Sequence, residues 1–297
     1  MSRTVNVGLD GSPESLAAAE WAASEAALRG MSLKLLYVRE PGPPSARGLF
    51  LGIDPPRQWA DKFLDEAAES IRVCHPRIQI SVERRNGRPG EALTNSAGDA
   101  ALLVLGSRGL SGFAGFILGS VGQSVVARAE LPVVLVRDEA AAGGTSRDAR
   151  RPECSRPPVV LGLDTDSPDD TVLEFAFEAA SRRDVALRVL HSWKLSPHYY
   201  VYGIPVVPAL DAELAAQEAE ALAGVLRPWR DRFPGVEVIE EIESGKAADH
   251  LVRASRHASL VVVGRRIRRA AITGRIGPVT HAVLHHSTAP VAVVAHK

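Results

Sequence analysis

Leu102-Leu103-Val104-Leu105-Gly106-Ser107-Arg108-Gly109 is the stretch on which the reading of this 297-residue chain turns. Apolar residues of strand type run straight into a glycine-rich loop that closes at Gly119-Ser120, with the spacing G-x2-G-x9-G-S. Glycine at such places lets the backbone reach positive φ, removes a Cβ that would block close approach, and leaves amide N–H groups to face an anion. The run from Ser120 to Ala129 has helical character, so Gly119-Ser120 opens a helix. Its N-terminal amides and partial positive charge then add to the Ser120 hydroxyl. An anionic group is therefore expected at Gly106, Ser107, Arg108, Gly109, Gly119, Ser120 and Val121. The competing reading is an ordinary surface loop, because Gly112 and Gly115 show how freely glycine gathers in this segment. A strand before and a helix after favour the site.

The chain also repeats itself. Val5-Asn6-Val7-Gly8-Leu9-Asp10 matches Val159-Val160-Leu161-Gly162-Leu163-Asp164, Glu20-Trp21-Ala22 matches Glu174-Phe175-Ala176, and Leu33-Lys34-Leu35-Leu36 matches Leu187-Arg188-Val189-Leu190. Further on, Gly87, Leu93, Gly106, Gly119 and Pro132 align without gaps to Gly245, Leu251, Gly264, Gly277 and Pro290. Two copies of one domain are expected, over residues 1–137 and 158–297, which agrees with about 100 to 200 residues per domain. The 138–157 segment between them, rich in Ala, Gly, Arg and Pro and without apolar periodicity, reads as a linker.

Composition is that of a soluble globular protein, 45% hydrophobic and 24% charged, with 35 basic residues against 35 acidic. That balance gives no electrostatic case for a nucleic-acid or anionic-membrane partner. No apolar stretch approaches the ~20 residues of a membrane span, and Met1-Ser2-Arg3 leads directly into a strand, so a cytoplasmic location is expected. Cys74 and Cys154 fall at non-equivalent places and indicate neither a disulfide framework nor a metal site.

Each half alternates short β-branched runs with longer helical segments, the pattern of a parallel sheet covered on both faces. The expected fold is α/β: two tandem doubly wound domains, each a five-stranded parallel sheet of order 3-2-1-4-5 flanked by helices. Strands are expected at 5–9, 33–38, 78–82, 102–105 and 133–136, and at 159–163, 186–190, 236–239, 260–263 and 291–294. Helix starts are signalled by Ser12-Pro13-Glu14 and by Ser167-Pro168-Asp169-Asp170, each with an N-cap hydroxyl, Pro at N1 and acids in the first turn.

Ligands of such sheets bind beyond the carboxyl ends of the strands, where strand order reverses. Asp10 leaves the first strand and Gly106 the fourth, so both face that crevice. Asp10, in the turn Asp10-Gly11-Ser12, either bonds ribose hydroxyls or a phosphate-held metal, or caps the turn into the Ser12 helix. Val38, ending the second strand, is placed for its backbone to read an adenine edge.

Asp10 after the first strand, the G-x2-G-x9-G-S loop after the fourth, and Leu131-Pro132-Val133-Val134 in the last strand resemble the universal stress protein family, in a tandem form similar to actinobacterial members. The resemblance covers both halves of the chain. It implies the ATP-binding branch, with ATP, or AMP or ADP in its place, and Mg, held by Asp10, Gly11, Ser12, Val38 and the loop residues. It also implies that the last strands meet across a dimer-like interface between the two halves, with a further homodimer, and that an unidentified signalling or client protein reads the bound state.

The second copy departs from the pattern. Gly264 and Gly277 remain, but Ile267 replaces the middle glycine and Pro278 the terminal serine. A β-branched residue is costly at positive φ, and proline supplies neither an amide donor nor a hydroxyl. Arg265, Arg266, Arg268, Arg269 and Arg275 crowd the same loop. Either their guanidinium groups replace the lost donors, giving a weaker site at Asp164, Gly264, Arg265, Arg266 and Gly277, or the domain has lost its ligand and kept a structural role.

Other features point less sharply. His281 and His285 share a helix face but have no third ligand at a partner spacing, so no metal site is assigned. Tyr199-Tyr200-Val201-Tyr202 reads as surface packing or as an aromatic patch for a partner, and the Pro41–Pro56 stretch as a flap over a nucleotide or a surface loop. No Walker loop, dinucleotide fingerprint or nucleophile elbow is present, and no catalytic residue is assigned. A nucleotide-dependent regulatory module is expected, with slow ATP hydrolysis or phosphotransfer, or a purely structural assembly protein, as alternatives.

Overall fold

The computed structural model describes residues 4–40, 55–96, 98, 100–107, 119–137, 156–194, 208–267 and 276–297. They fall into two compact units. The first comprises β1 (Thr4–Leu9), α1 (Pro13–Arg29), β2 (Ser32–Arg39), α2 (Pro55–Cys74), β3 (Ile80–Asn86), α3 (Pro89–Asn95), β4 (Ala100–Ser107), α4 (Ser120–Arg128) and β5 (Val133–Arg137). The second comprises β6 (Val159–Gly162), α5 (Asp170–Arg183), β7 (Leu187–Trp193), α6 (Pro208–Arg232), β8 (Val238–Ser244), α7 (Ala247–Ser255), β9 (Leu260–Arg266), α8 (Pro278–His286) and β10 (Val291–His296). Expectations for Arg108, Gly109, Arg268, Arg269, Arg275, Tyr199–Tyr202, Cys154, most of the 138–157 segment and the Pro41–Pro56 stretch up to residue 54 fall outside the described residues.

Within each unit the strands run parallel in the same order. The first is β3-β2-β1-β4-β5 and the second β8-β7-β6-β9-β10, so β1 with β4, and β6 with β9, flank the point where the order reverses. These central strands are near-continuous apolar runs because both sheet faces are covered: Val5, Val7, Leu102, Leu103 and Val104 are wholly buried, as are Val159, Val160, Leu161, Val261 and Val262. Gly8 and Gly162 complete this packing. A Cβ on Gly8 would stand 2.6 Å from Leu105 and 3.2 Å from Leu93 of α3, and one on Gly162 2.8 Å from Leu251 of α7.

The third strand of each unit lies further along the chain than its apolar residues predict, at Ile80–Asn86 rather than 78–82 and at Val238–Ser244 rather than 236–239. Both are end strands with a partly exposed face, so charge replaces apolar alternation. Lys34 reaches Glu83 at 3.4 Å across the β2–β3 pair, and Arg188 reaches Glu241 at 2.5 Å across β7–β8.

Ser12 caps α1 as its sequence predicts, its hydroxyl accepting from the Ser15 amide at 3.2 Å, with Pro13 at N1 and Gly30 in the left-handed conformation at the far end. The second copy corrects the expectation. Its helix starts at Asp170 and is capped by Asp169, whose carboxylate accepts from the Thr171 amide at 2.9 Å. Ser167 lies outside the helix, in a preceding turn where its amide donates to the Asp164 carbonyl at 3.3 Å. The α5–α6 contact is aromatic: Phe177, wholly buried, lies 5.8 Å from the Trp229 ring and 5.4 Å from Phe233. Such pairs contribute about 0.5–1.5 kcal/mol beyond the area they bury.

Candidate functional site

In the first unit a cavity of about 270 Å³ opens at the carboxyl ends of β1 and β4. Its wall brings together Asp10, Ser12, Val38, Gly106, Gly119, Ser120 and Val121 from the predicted set. Gly11 turns the chain there at φ 85°. Ser107, the last residue of β4, is buried and does not line the cavity. Among the described residues of this wall Asp10 alone is ionisable.

Asp10 does cap the turn: its Oδ1 accepts from the Ser12 amide at 3.0 Å and the Ser12 hydroxyl at 2.5 Å. That bond holds an exposed carboxylate in place at the cavity rim, so the two readings of Asp10 are compatible. Gly119 is the N-cap of α4, with no side-chain cap bond, and a Cβ there would meet open space. The first amides of α4 therefore stand at the cavity wall with a helix N-terminus behind them, the arrangement that suits an anion. Gly106 has a different basis: its missing Cβ would lie 2.6 Å from the Glu14 backbone and 2.7 Å from the Ser15 nitrogen. Close passage of β4 beneath the start of α1 requires that glycine whether or not a ligand binds.

The second unit has the larger cavity, about 670 Å³, in the corresponding position. Asp164, Gly264, Arg266 and Gly277 line it, whereas Arg265 is buried outside its wall. Gly277 caps α8 without a side-chain bond, but Pro278 follows at N1 and has no N–H to offer. Thr280 turns its hydroxyl to the Gly264 carbonyl at 3.0 Å.

Several residues of this cavity were not singled out by the sequence. His191, buried at the end of β7, faces the Leu163 carbonyl with Nδ1 and Glu218 Oε2 with Nε2, both at 3.1 Å. Ser192 bonds His250 Nδ1 at 3.1 Å, and His250 Nε2 lies 3.4 Å from Glu243. The Glu243 carboxyl is held below the usual carboxylate range first by its hydrogen bond from Arg253 and then by the His250 charge. His296 reaches back to Asp169 at 3.5 Å and fills the space above Gly264. Aligning Tyr37-Val38 with His191-Ser192 would have exposed this change at the end of the second strand.

His281 and His285 do meet on α8, ring centroids 4.3 Å apart. Among the described residues no group of three or more potential ligands surrounds a metal position. No helix among them is long and apolar enough to cross a membrane.

Comparison with known proteins agrees with the internal repeat. The model of the Universal stress protein family matches residues 1–137 and again 156–295. A universal stress protein of Mycobacterium tuberculosis is 34% identical over 300 residues, covering 97% of this chain and 96% of its own. A universal stress protein from Archaeoglobus fulgidus DSM 4304 superposes over the full length of both chains with a TM-score of 0.66 at 19% identity, a likeness of fold. A universal stress protein solved in complex with cAMP is 30% identical over 46% of this chain and 97% of its own, with a TM-score of 0.37. Two matches of the family model and a full-length relative at this identity place the chain in the universal stress protein family.

Proposed function

We propose that the first domain, residues 1–137, binds ATP and that the chain is a nucleotide-dependent regulatory module of the cytoplasm. The observation that carries this reading is the uncapped N-terminus of α4 at Gly119, standing in the same cavity as Asp10 and the end of β2. A phosphate group meets the α4 amides and the Ser120 hydroxyl, the ribose meets Asp10, and the backbone of Val38 faces the base. Mg, bound together with the phosphates, would find in Asp10 the carboxylate of the described wall. Residues 158–297 form the second domain and 138–157 the linker.

Binding is favoured over turnover by the composition of the described wall. Beyond a metal, phosphoryl transfer needs a group to orient the nucleophile, and among the described residues of the wall the one ionisable group, Asp10, is already bonded to Ser12. A ligand held this way stabilises the folded domain by mass action and shifts any surface that differs between empty and occupied states.

Calorimetric titration of nucleotide-stripped protein tests the proposal. One ATP is expected per chain, with binding abolished by Gly119→Glu, which puts a carboxylate at the anion position while its Cβ meets open space. An unmodified chain that takes up no ATP would defeat it.

A further inference from the structure

The two cavities differ in a consistent direction. By the repeat alignment, Ser12, Ser15 and Ser120 of the first wall correspond to Asp166, Asp169 and Pro278 of the second. Two hydroxyls have become carboxylates, and a third hydroxyl, with its amide, has become a proline that offers neither. Asp164 stands beside the new carboxylates, and Glu218 adds another across the cavity. Among the described residues of this wall, Lys194 and Arg266 are the lysine and arginine that face these four acids. His296 is drawn to Asp169 and His191 to Glu218, so both imidazoles are engaged by acids already on the wall. A chain of phosphates entering here would find a proline in place of the Ser120 hydroxyl and amide, with four carboxylates on the same wall.

The rest of the pocket is intact and roomier. Leu163, Leu190, Leu251 and Val263 give it an apolar wall, and Asp164 keeps the place of Asp10. Its Oδ1 accepts from the Asp166 amide at 3.2 Å, as Asp10 accepts from Ser12. Ser192, backed by His250 and Glu243, gives the end of the second strand a fixed polar edge where the first copy has valine. The volume of about 670 Å³ falls within the range of small-molecule sites, roughly 300–1,000 Å³. Apolar faces, a polar edge and a carboxylate suited to hydroxyls match a heterocycle carrying a sugar.

We infer that the second cavity binds an uncharged purine nucleoside and rejects its polyphosphates. This extends the reading of the first cavity as a nucleotide site, from which the placement of sugar and base is carried over. The chain then holds two sites of opposite phosphate preference and responds to the balance between a phosphorylated ligand and its dephosphorylated form.

The test uses the full chain carrying Gly119→Glu, so that the first site is closed, with adenosine and ATP as probes in calorimetry. Adenosine is expected to occupy one site per chain, at least about tenfold more tightly than ATP. Asp164→Asn should weaken adenosine about tenfold with circular dichroism unchanged, and Asp166→Ser with Pro278→Ser, restoring the first copy's residues, should narrow the gap to ATP. ATP binding to the Gly119→Glu chain as tightly as adenosine overturns the inference and assigns the cavity to the loop arginines. Failure of adenosine to bind at millimolar concentration, with the melting transition intact, also overturns it. An unmodified chain that binds adenosine but no ATP defeats the reading of the first domain and leaves this one standing.

Discussion

The Cβ that Gly106 lacks would sit 2.7 Å from the backbone nitrogen of Ser15, so strand β4 and the first turn of α1 are in contact through a glycine. The equivalent Gly264 is different: its Cβ would lie 2.8 Å from the far end of the His296 ring and 3.4 Å from Val172. Backbone cannot move aside cheaply, and the far end of a side chain can. Gly106→Ala is expected to cost about 1–3 kcal/mol through overpacking. Gly264→Ala should fall within about 1 kcal/mol of neutral, since removing glycine freedom from the unfolded chain offsets the small shift of His296. Urea denaturation of both variants checks the contrast, and equal losses would show that the two glycines do the same job.

Ser12 both caps α1 and holds Asp10. Its hydroxyl accepts from the Ser15 amide at 3.2 Å and donates to Asp10 at 2.5 Å. Ser12→Ala should lose about 1 kcal/mol of stability, Ser12→Gly only a few tenths, because glycine is tolerated at an N-cap. Both remove the hydroxyl from Asp10, so both should weaken ATP binding to a similar degree. Affinity that tracks stability across the two variants, rather than the loss of the hydroxyl, would separate Asp10 from the site.

The order of elements and the Asp10, Gly119 and Ser120 positions were legible because they depend on local signals: apolar runs, an N-cap serine, a glycine before a helix. The third strands were misplaced because their register is set by pairing to β2 and β7, through charged residues such as Glu83 and Glu241 that apolar alternation does not mark. Ser167-Pro168 has the composition of a helix start, but the turn closed on the Asp164 carbonyl delays the helix to Asp170, where Asp169 caps it. The polar lining of the second cavity was out of reach for a different reason. His191, Glu218 and His296 come from β7, α6 and β10, and only the folded sheet brings them together.

Acid should destabilise the second domain partly through His281. Its pKa lies below the ordinary 6.5, first because of desolvation and then because of the His285 and His286 charges beside it. The unfolded chain therefore takes up a proton at this position before the folded one does. Stability contributed here is present above about pH 6.5 and falls as pH drops toward the folded value. His281→Gln should lose less stability than the unmodified chain between pH 8 and pH 5, read from urea midpoints at each pH. A wider loss in the variant would reverse the sign and exclude this origin.

The Glu25–Arg29 pair on α1 lies inside the first domain, with side chains 1% and 5% exposed and Nε 2.6 Å from Oε1. Arg29→Ala withdraws the guanidinium from a carboxylate side chain that is 1% exposed, and the expected cost is about 3–5 kcal/mol. Replacing both residues, Glu25→Leu with Arg29→Met, removes the two desolvation penalties together with the attraction, and should recover most of that loss. In the second copy Ala179 holds the place of Glu25 and is wholly buried, so the fold already accommodates an apolar residue at this helix position. Denaturation midpoints of the single and double variants decide the matter. If the double variant is as unstable as the single one, packing of the arginine stem is what holds α1 in place, and the charge pair adds little.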